Sequence, residues 1–406
     1  MAEKTVLIIT NAFPPSFAPR MGYLSKYLAE NGWKGIAIAP FYDNCRKYFD
    51  FLSEYIPCKR VYISKRRKNI IHKALSFFFP DLRIPWELKK KMRFYCDELI
   101  SKEQIDIILC AAGLFFPLCI AYKVAKKYKI PWIADLRDIE EQHPEKNSFL
   151  MDAYYKMVIF RRNYLLRDAD AITVASEKHV EILNNYALKA YCIYNGADAD
   201  IFFPTKKRYK LNEFTIVYTG TIYSRLGQDV SPLFSVIKQL YISGDIDLKN
   251  CRIKFYTDIK SQEVIKKSKE IFSVSEFVEC FDVVPATEIP KILNESSILL
   301  LLLNRRNTGI MTTKFFEYLA VGCPILCIWN DEGAVKEIIN NSKAGIAAKT
   351  EQDIKQFIKS KYDEWLKTGY INSDIDRNYI KNFSRKYNAK QFVELFGGVL
   401  KSKNLE

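Results

Sequence analysis

Short apolar runs alternate with longer amphipathic stretches along the first half of the chain. The runs cover residues 6–10, 35–40, 105–110, 132–135, 171–175 and 191–194, each of strand length. That alternation predicts a parallel, doubly wound sheet with helices between its strands. A loop over residues 195–212 follows, carrying Gly196, Pro204 and the basic run Lys206-Lys207-Arg208. A second series then begins, with runs at 214–220, 253–257, 276–280, 298–303, 325–329 and 345–348. Two successive sheets of this kind predict an α/β protein of two lobes with a cleft between them. Residues 374–400 are a candidate for a last helix. A length of 406 residues suits two or three units at roughly 150 residues each, and 49% hydrophobic residues fit a globular chain rather than a disordered one.

The richest chemistry lies after the run 298–303. A polar loop ends in Met311-Thr312-Thr313, and a short helical segment, Lys314-Phe315-Phe316-Glu317-Tyr318-Leu319-Ala320, leads through Gly322-Cys323-Pro324 into the next strand. Ligands of open α/β sheets bind beyond the C-terminal ends of the strands. Glu317 is placed to grip sugar hydroxyls, and backbone N–H groups at the helix start can take a phosphate. The same pattern also fits a capped helix in an ordinary α/β core.

The segment 314–326 resembles the nucleotide-binding segment of the retaining nucleotide-sugar glycosyltransferases of family 4. Other similar segments follow in the expected order. They are residues 6–15 with Arg20-Met21-Gly22 and 28–33; Trp132 to Asp138; Ala169 to Glu177; and Ile193 to Asp198 with Phe203-Pro204. The resemblance implies the GT-B fold: two Rossmann-like doubly wound domains and a C-terminal helix crossing back to the first. The expected boundaries are 1–200 for an acceptor-side domain, 201–372 for the nucleotide-sugar domain, and 373–406 for the returning helix.

It also implies roles. Glu317 matches the second glutamate of the family's pair, which holds the nucleotide ribose; Gly309 stands eight residues upstream, where the first glutamate, near the donor sugar, is missing. An arginine and a later lysine usually follow the glycine matched by Gly220. Here Thr221 takes the arginine position, Arg225 approximates the later cation, and Lys314 is the second candidate for the diphosphate. Thr312 and Thr313 would offer N–H groups to phosphate or sugar, or simply cap the helix. In the first lobe, Asp135-Leu136-Arg137-Asp138 ends a strand with two carboxylates around a guanidinium. Relatives carry a histidine in this loop, and the nearest here is His143. Asp138 is the expected acceptor-orienting group, with Arg137 and Arg20 on the acceptor or phosphate side. Arg20 lies where the family places a glycine pair. Catalytic roles are thus expected of Asp138, Arg225 and Lys314, and donor binding of Glu317, Gly220, Thr312 and Thr313.

No metal and no cofactor are expected; the nucleotide-diphosphate sugar is a substrate. The ten cysteines lack paired zinc-type spacing, and the three histidines are far apart. Asp168-Ala169-Asp170 and Asp198-Ala199-Asp200 fall where the family pattern has its own acidic residues, so neither is read as a metal site. Free cysteines in apolar strands fit a reducing cytosol, and Met1-Ala2-Glu3-Lys4 leads into a run too short for a secretory signal.

The net charge of +15 calls for a partner. Lys59-Arg60, Lys65-Arg66-Arg67-Lys68, Lys89-Lys90-Lys91 with Arg93, and Arg161-Arg162 interleave with Phe77-Phe78-Phe79 and Trp86. That mixture suits an anionic membrane surface, and no nucleic-acid motif accompanies it. The expectation is a cytoplasmic enzyme, peripheral on the inner face of the plasma membrane. It would move sugar to a lipid-linked glycan during surface polysaccharide synthesis such as capsule or O-antigen. Two other readings stay open: a nucleotide-sugar epimerase of the same fold, and a non-catalytic nucleotide-sugar-binding scaffold.

Overall fold

The structure is a computed structural model that describes residues 3–41, 49–62, 85–113, 115–142, 149–204, 211–224, 227–247, 249–303, 309, 311–329, 333–403 and 405. It divides into two compact units, residues 1–194 with 385–406, and residues 195–384.

Among the described residues the first unit holds seven strands: β1 (Lys4–Thr10), β2 (Trp33–Phe41), β3 (Cys58–Tyr62), β4 (Ile107–Ala111), β5 (Trp132–Leu136), β6 (Ala171–Val174) and β7 (Ala190–Cys192). They form one parallel sheet in the order β3-β2-β1-β4-β5-β6-β7. Val6 to Ile9 are wholly buried, as a central strand covered by helices on both faces requires. β3 is absent from the strands expected from sequence. Among the described residues it pairs only with β2, and Val61 is its single buried residue, so its apolar signal is too weak to read.

The C-terminal helix Arg385–Lys403 belongs to this unit. Ala389, Phe392, Phe396 and Val399 fall on one helical face and pack among Val6, Ile8 and Trp33. The ring of Phe396 meets Trp33 edge-on at 5.1 Å. The helix expected over 374–400 is interrupted. Asp376 caps a short turn, Arg377–Ile380, and the extended backbone of Ser384 (φ −88°, ψ 151°) restarts the chain before Arg385.

The second unit holds β8 (Phe214–Thr219), β9 (Cys251–Tyr256), β10 (Val278–Phe281), β11 (Ile298–Leu302), β12 (Ile325–Ile328) and β13 (Gly345–Ala348), parallel in the order β10-β9-β8-β11-β12-β13. β10 starts two residues later than expected because Ser275–Phe277 winds into a 3₁₀ turn. β11 is buried from end to end. Its start is locked to β8 by a reciprocal pair: Thr215 N–H donates to Ser297 Oγ (3.0 Å), and Ser297 N–H contacts Thr215 Oγ1 (3.2 Å) and the Thr215 carbonyl (3.1 Å).

Each sheet reverses its strand order once, at β1/β4 in the first unit and at β8/β11 in the second. In doubly wound folds the crevice for ligands opens at that reversal, beyond the C-terminal strand ends. Among the described residues no helix is long and apolar enough to cross a membrane.

The pairing of β12 with β13 depends on Gly345. Its φ is +151°, and a Cβ there would lie 2.0 Å from the Ile325 carbonyl oxygen. Gly345→Ala should therefore destabilise the fold by about 1–3 kcal/mol, read as a fall in melting temperature of roughly 2–12 °C. An unchanged transition would show that the two strands separate without cost.

Candidate active-site residues

In the second unit, β8 ends at Thr219 and delivers Gly220 into the reversal point, while the helix Thr313–Val321 starts in the connection beyond β11. The two meet. A Cβ on Gly220 would sit 3.0 Å from Lys314 Nζ, and the residue holds φ +102°, so this approach requires a glycine. Lys314 Nζ donates to Tyr218 Oη at 2.8 Å and lies 4.1 Å from the centre of that ring. Tyr218 Oη in turn donates to the Thr221 carbonyl at 2.8 Å. Burial raises the Tyr218 phenol well above its usual pKa, so it stays neutral.

Lys314 is placed against its own electrostatics. It is the second residue of its helix, where the dipole disfavours a cation. Burial lowers its ammonium to about 7, and the Glu317 carboxylate only partly opposes this. Thr312 is the N-cap residue, yet its side chain makes no capping bond and its Oγ1 is buried without a partner. Among the described residues the helix N-terminus is thus left without its N-cap side-chain bond beside a desolvated lysine, an arrangement suited to an incoming anion. Glu317, half-buried, lies one turn further on. Gly309 adopts φ 79° in the left-handed region, which disfavours a glutamate in that backbone. Arg225 lies outside the described residues.

The remaining expected residues sit in the first unit. Arg20, 7% exposed, directs its guanidinium inward. Nε and Nη2 donate to Asp135 at 2.8–3.1 Å, and Nη1 to the Tyr194 carbonyl at 3.1 Å. Thr173 Oγ1 adds a 2.7 Å bond to the same carboxylate. This is a buried strut joining the first helix to β5 and β6. Arg137 and Asp138, by contrast, are exposed and paired to each other at 2.8 Å. Partial burial raises the Asp138 carboxyl, but Arg137, Gln142 and the nearby His179 outweigh it and hold the group below its usual pKa.

Sequence reasoning missed His179, which the fold brings near Asp138 from the helix Glu177–Asn184. The imidazole is buried, its Nδ1 has no partner, and burial pushes its pKa down against Asp138 and Glu141. Beside it, buried Arg162 binds Glu140 at 2.6 Å and Glu141 through two bonds of 2.8 Å. The sequence distances of these residues give no hint of that grouping. The three-residue offset of His179 from the N-cap Ser176 is its only local signal. His143 and Lys65-Arg66-Arg67-Lys68 lie outside the described residues, as do Phe77-Phe78-Phe79 and Lys206-Lys207-Arg208. Asp170 is engaged internally: it accepts from the Trp132 N–H at 2.8 Å and pairs with Lys403 at 3.1 Å.

The model of Glycosyltransferase Family 4 matches residues 20–201. No curated protein matches the chain by sequence. Among solved structures, the sucrose-phosphate synthase of Thermosynechococcus elongatus is similar, with a TM-score of 0.69, 13% identity, and 98% of this chain and 100% of that one covered. Anabaena Alr3699/HepE, solved in complex with UDP and glucose, has a TM-score of 0.65 at 14% identity over 97% of this chain and 100% of that one. The lipopolysaccharide outer core galactosyltransferase WaaB, in its apo form, has a TM-score of 0.60 at 14% identity over 98% and 99%. These likenesses define the fold as that of the GT-B class, and the family segment lies within the first unit and the start of the second.

Substitutions at Lys314 and at the Arg20–Asp135 pair check this geometry. The unfolded chain holds Lys314 near its ordinary pKa of ~10.4, and the folded chain holds it at about 7. Between those values the unfolded state binds more protons, so this lysine costs stability fully at and below pH ~7, and the cost fades as pH rises to ~10.5. Lys314→Met should therefore raise the melting temperature of nucleotide-free protein at pH 7; a lower one contradicts the assignment. Arg20→Met strands a buried carboxylate and should cost about 3–5 kcal/mol. Arg20→Met combined with Asp135→Leu should recover part of that loss in chemical denaturation, and additive losses would mean the pair is not coupled.

Proposed function

We propose that the chain transfers a sugar from a nucleotide-diphosphate donor to a glycan acceptor carried on a lipid, with retention of configuration and without a metal. The observation that carries the donor half is Lys314: a desolvated cation at a helix N-terminus that its N-cap Thr312 side chain leaves uncapped, against the Gly220 backbone. Cleavage of a glycosyl diphosphate builds negative charge on the departing phosphate. Preorganised cations and N–H dipoles in a site shielded from water stabilise such charge. In this reading Lys314 and the N–H groups of Thr313 and its neighbours receive the diphosphate, with Arg225 as the second cation. Thr312 supplies its unpartnered hydroxyl, and Glu317 holds the ribose. Asp138, ionised and oriented by Arg137, aligns the acceptor hydroxyl.

HepE, solved with UDP and glucose bound, supports a nucleotide-sugar donor. WaaB, a galactosyltransferase of the lipopolysaccharide outer core, supports an acceptor of surface-glycan type. The likeness to both is one of fold. A place at the cytoplasmic face of the plasma membrane is part of the same proposal, and the basic, aromatic-rich first unit supports it.

Calorimetric titration of UDP, GDP and dTDP with EDTA present tests the donor site. One nucleotide should bind, and Glu317→Ala should weaken it about tenfold or more, ~1.4 kcal/mol. Equal affinity in the variant removes the ribose role. No binding until a divalent cation is added refutes the metal-independent mechanism.

A further inference from the structure

In the first unit, the helices Phe115–Tyr128 and Phe149–Leu166 pack side by side. Between them runs an open groove of about 460 Å³ whose walls include Phe115, Tyr122, Phe160 and Tyr164. The outward stripe of the second helix reads Lys156, Phe160, Tyr164, with Arg167 one turn later, at the spacing that keeps side chains on one face. Phe160 is 72% exposed and Tyr164 59%, so two large rings stand in solvent between cations. Tyr122 also borders a second basin, of about 740 Å³, lined by Lys126, Lys129, Arg167 and Lys403. There Asp170 and Lys403 are paired to each other, which leaves Lys126, Lys129 and Arg167 against Asp168.

The first helix contributes Lys123, Lys126 and Lys127 and no acid. The second contributes Lys156, Arg161 and Arg162 against Asp152 alone. Arg162 is turned inward to Glu140 and Glu141, and Lys127 is paired with Asp97. Of the others, Lys123 lines the groove beside Phe160 and Tyr164, Lys126 bonds Tyr122 at the rim of the second basin, and Arg161 lies over the Phe115 ring. Apolar rings flanked by cations, beside a cationic basin, match the interfacial zone of a bilayer, where acyl chains meet phosphate headgroups. A nucleic acid would instead call for rings set along a backbone-tracking channel.

We infer that this face docks the first unit on an anionic phospholipid bilayer, Phe160 and Tyr164 entering the interface while Lys123, Lys126, Lys129 and Arg167 meet lipid phosphates. The docking rests on the proposed membrane-held acceptor for its purpose but is measured separately from nucleotide binding. It assigns the membrane contact to residues outside the basic runs at 59–60, 65–68 and 89–93.

Sedimentation of the full chain with phosphatidylcholine vesicles, with and without phosphatidylglycerol, tests it. Binding should require phosphatidylglycerol and fall with added salt. The pair Phe160→Ser with Tyr164→Ser should weaken it about tenfold or more, with nucleotide affinity and melting temperature unchanged. Lys123→Glu with Lys126→Glu gives an independent reading from the charged side and should weaken binding to the phosphatidylglycerol vesicles about tenfold or more. Ile271→Ser, an exposed apolar site of the second unit, should bind as the parent does. Vesicle binding that survives both double variants overturns the assignment, as does absence of binding to either vesicle. Capture of a single-stranded oligonucleotide that depends on the same two rings would also overturn it, in favour of nucleic acid. Loss of nucleotide binding in the parent chain would instead count against the donor site and leave this surface standing.

Discussion

The candidate donor site depends on one pairing, that of β8 with β11. The two strands are about eighty residues apart in sequence and lie side by side, Ile216 opposite Ile298 and Val217 opposite Leu299. The buried Thr215–Ser297 hydrogen bonds fix this register at the strand starts. Both strands then run out at the point where the sheet reverses its order. Gly220 leaves one strand there, and the connection from the other leads into the helix carrying Lys314. A slip of one residue would break these bonds and invert every side chain of β11; the run of Ile298 and four leucines, buried on both faces, does not by itself distinguish registers.

With the strand ends fixed, the local chemistry follows from conflict rather than from stability. A lysine in the first turn of a helix opposes the dipole, and one withdrawn from water opposes hydration. Lys314 does both, and its main protein contact is a neutral phenol. Neither feature contributes stability, and an anion placed beside this helix start would offset both costs. Arg20 shows the contrast. Its charge is fully met by Asp135 and Tyr194 within the first unit, which makes it a strut. Arg137 and Asp138 stand between these extremes, paired to each other yet open to solvent.

Much of the fold was legible because parallel strands buried on both faces leave continuous apolar runs. β1, β8 and β11 could be read directly. β3 could not, since an edge strand with one buried residue leaves almost no periodicity. The break at Ser384 was equally hidden, because Asn382 to Arg385 carries neither proline nor glycine. For the site, Lys314, Glu317 and Gly220 were legible as ends of strands and starts of helices, whereas their mutual approach came only from the strand order. The inward turn of Arg20 and the nearness of His179 to Asp138 arise from contacts between distant segments, which no local pattern encodes.

The most direct test of the central claim is the titration of Lys314 itself, by NMR of the protein with isotope-labelled lysine methylated at Nζ, using Lys314→Met to assign the signal. The account predicts a midpoint near pH 7 in the free protein, as burial sets it. Saturation with the bound nucleoside diphosphate should move it up by one unit or more, about 1.4 kcal/mol per unit. A midpoint near the ordinary lysine value of ~10.4 that ignores the nucleotide would contradict both the desolvated site and the anion it is held to receive.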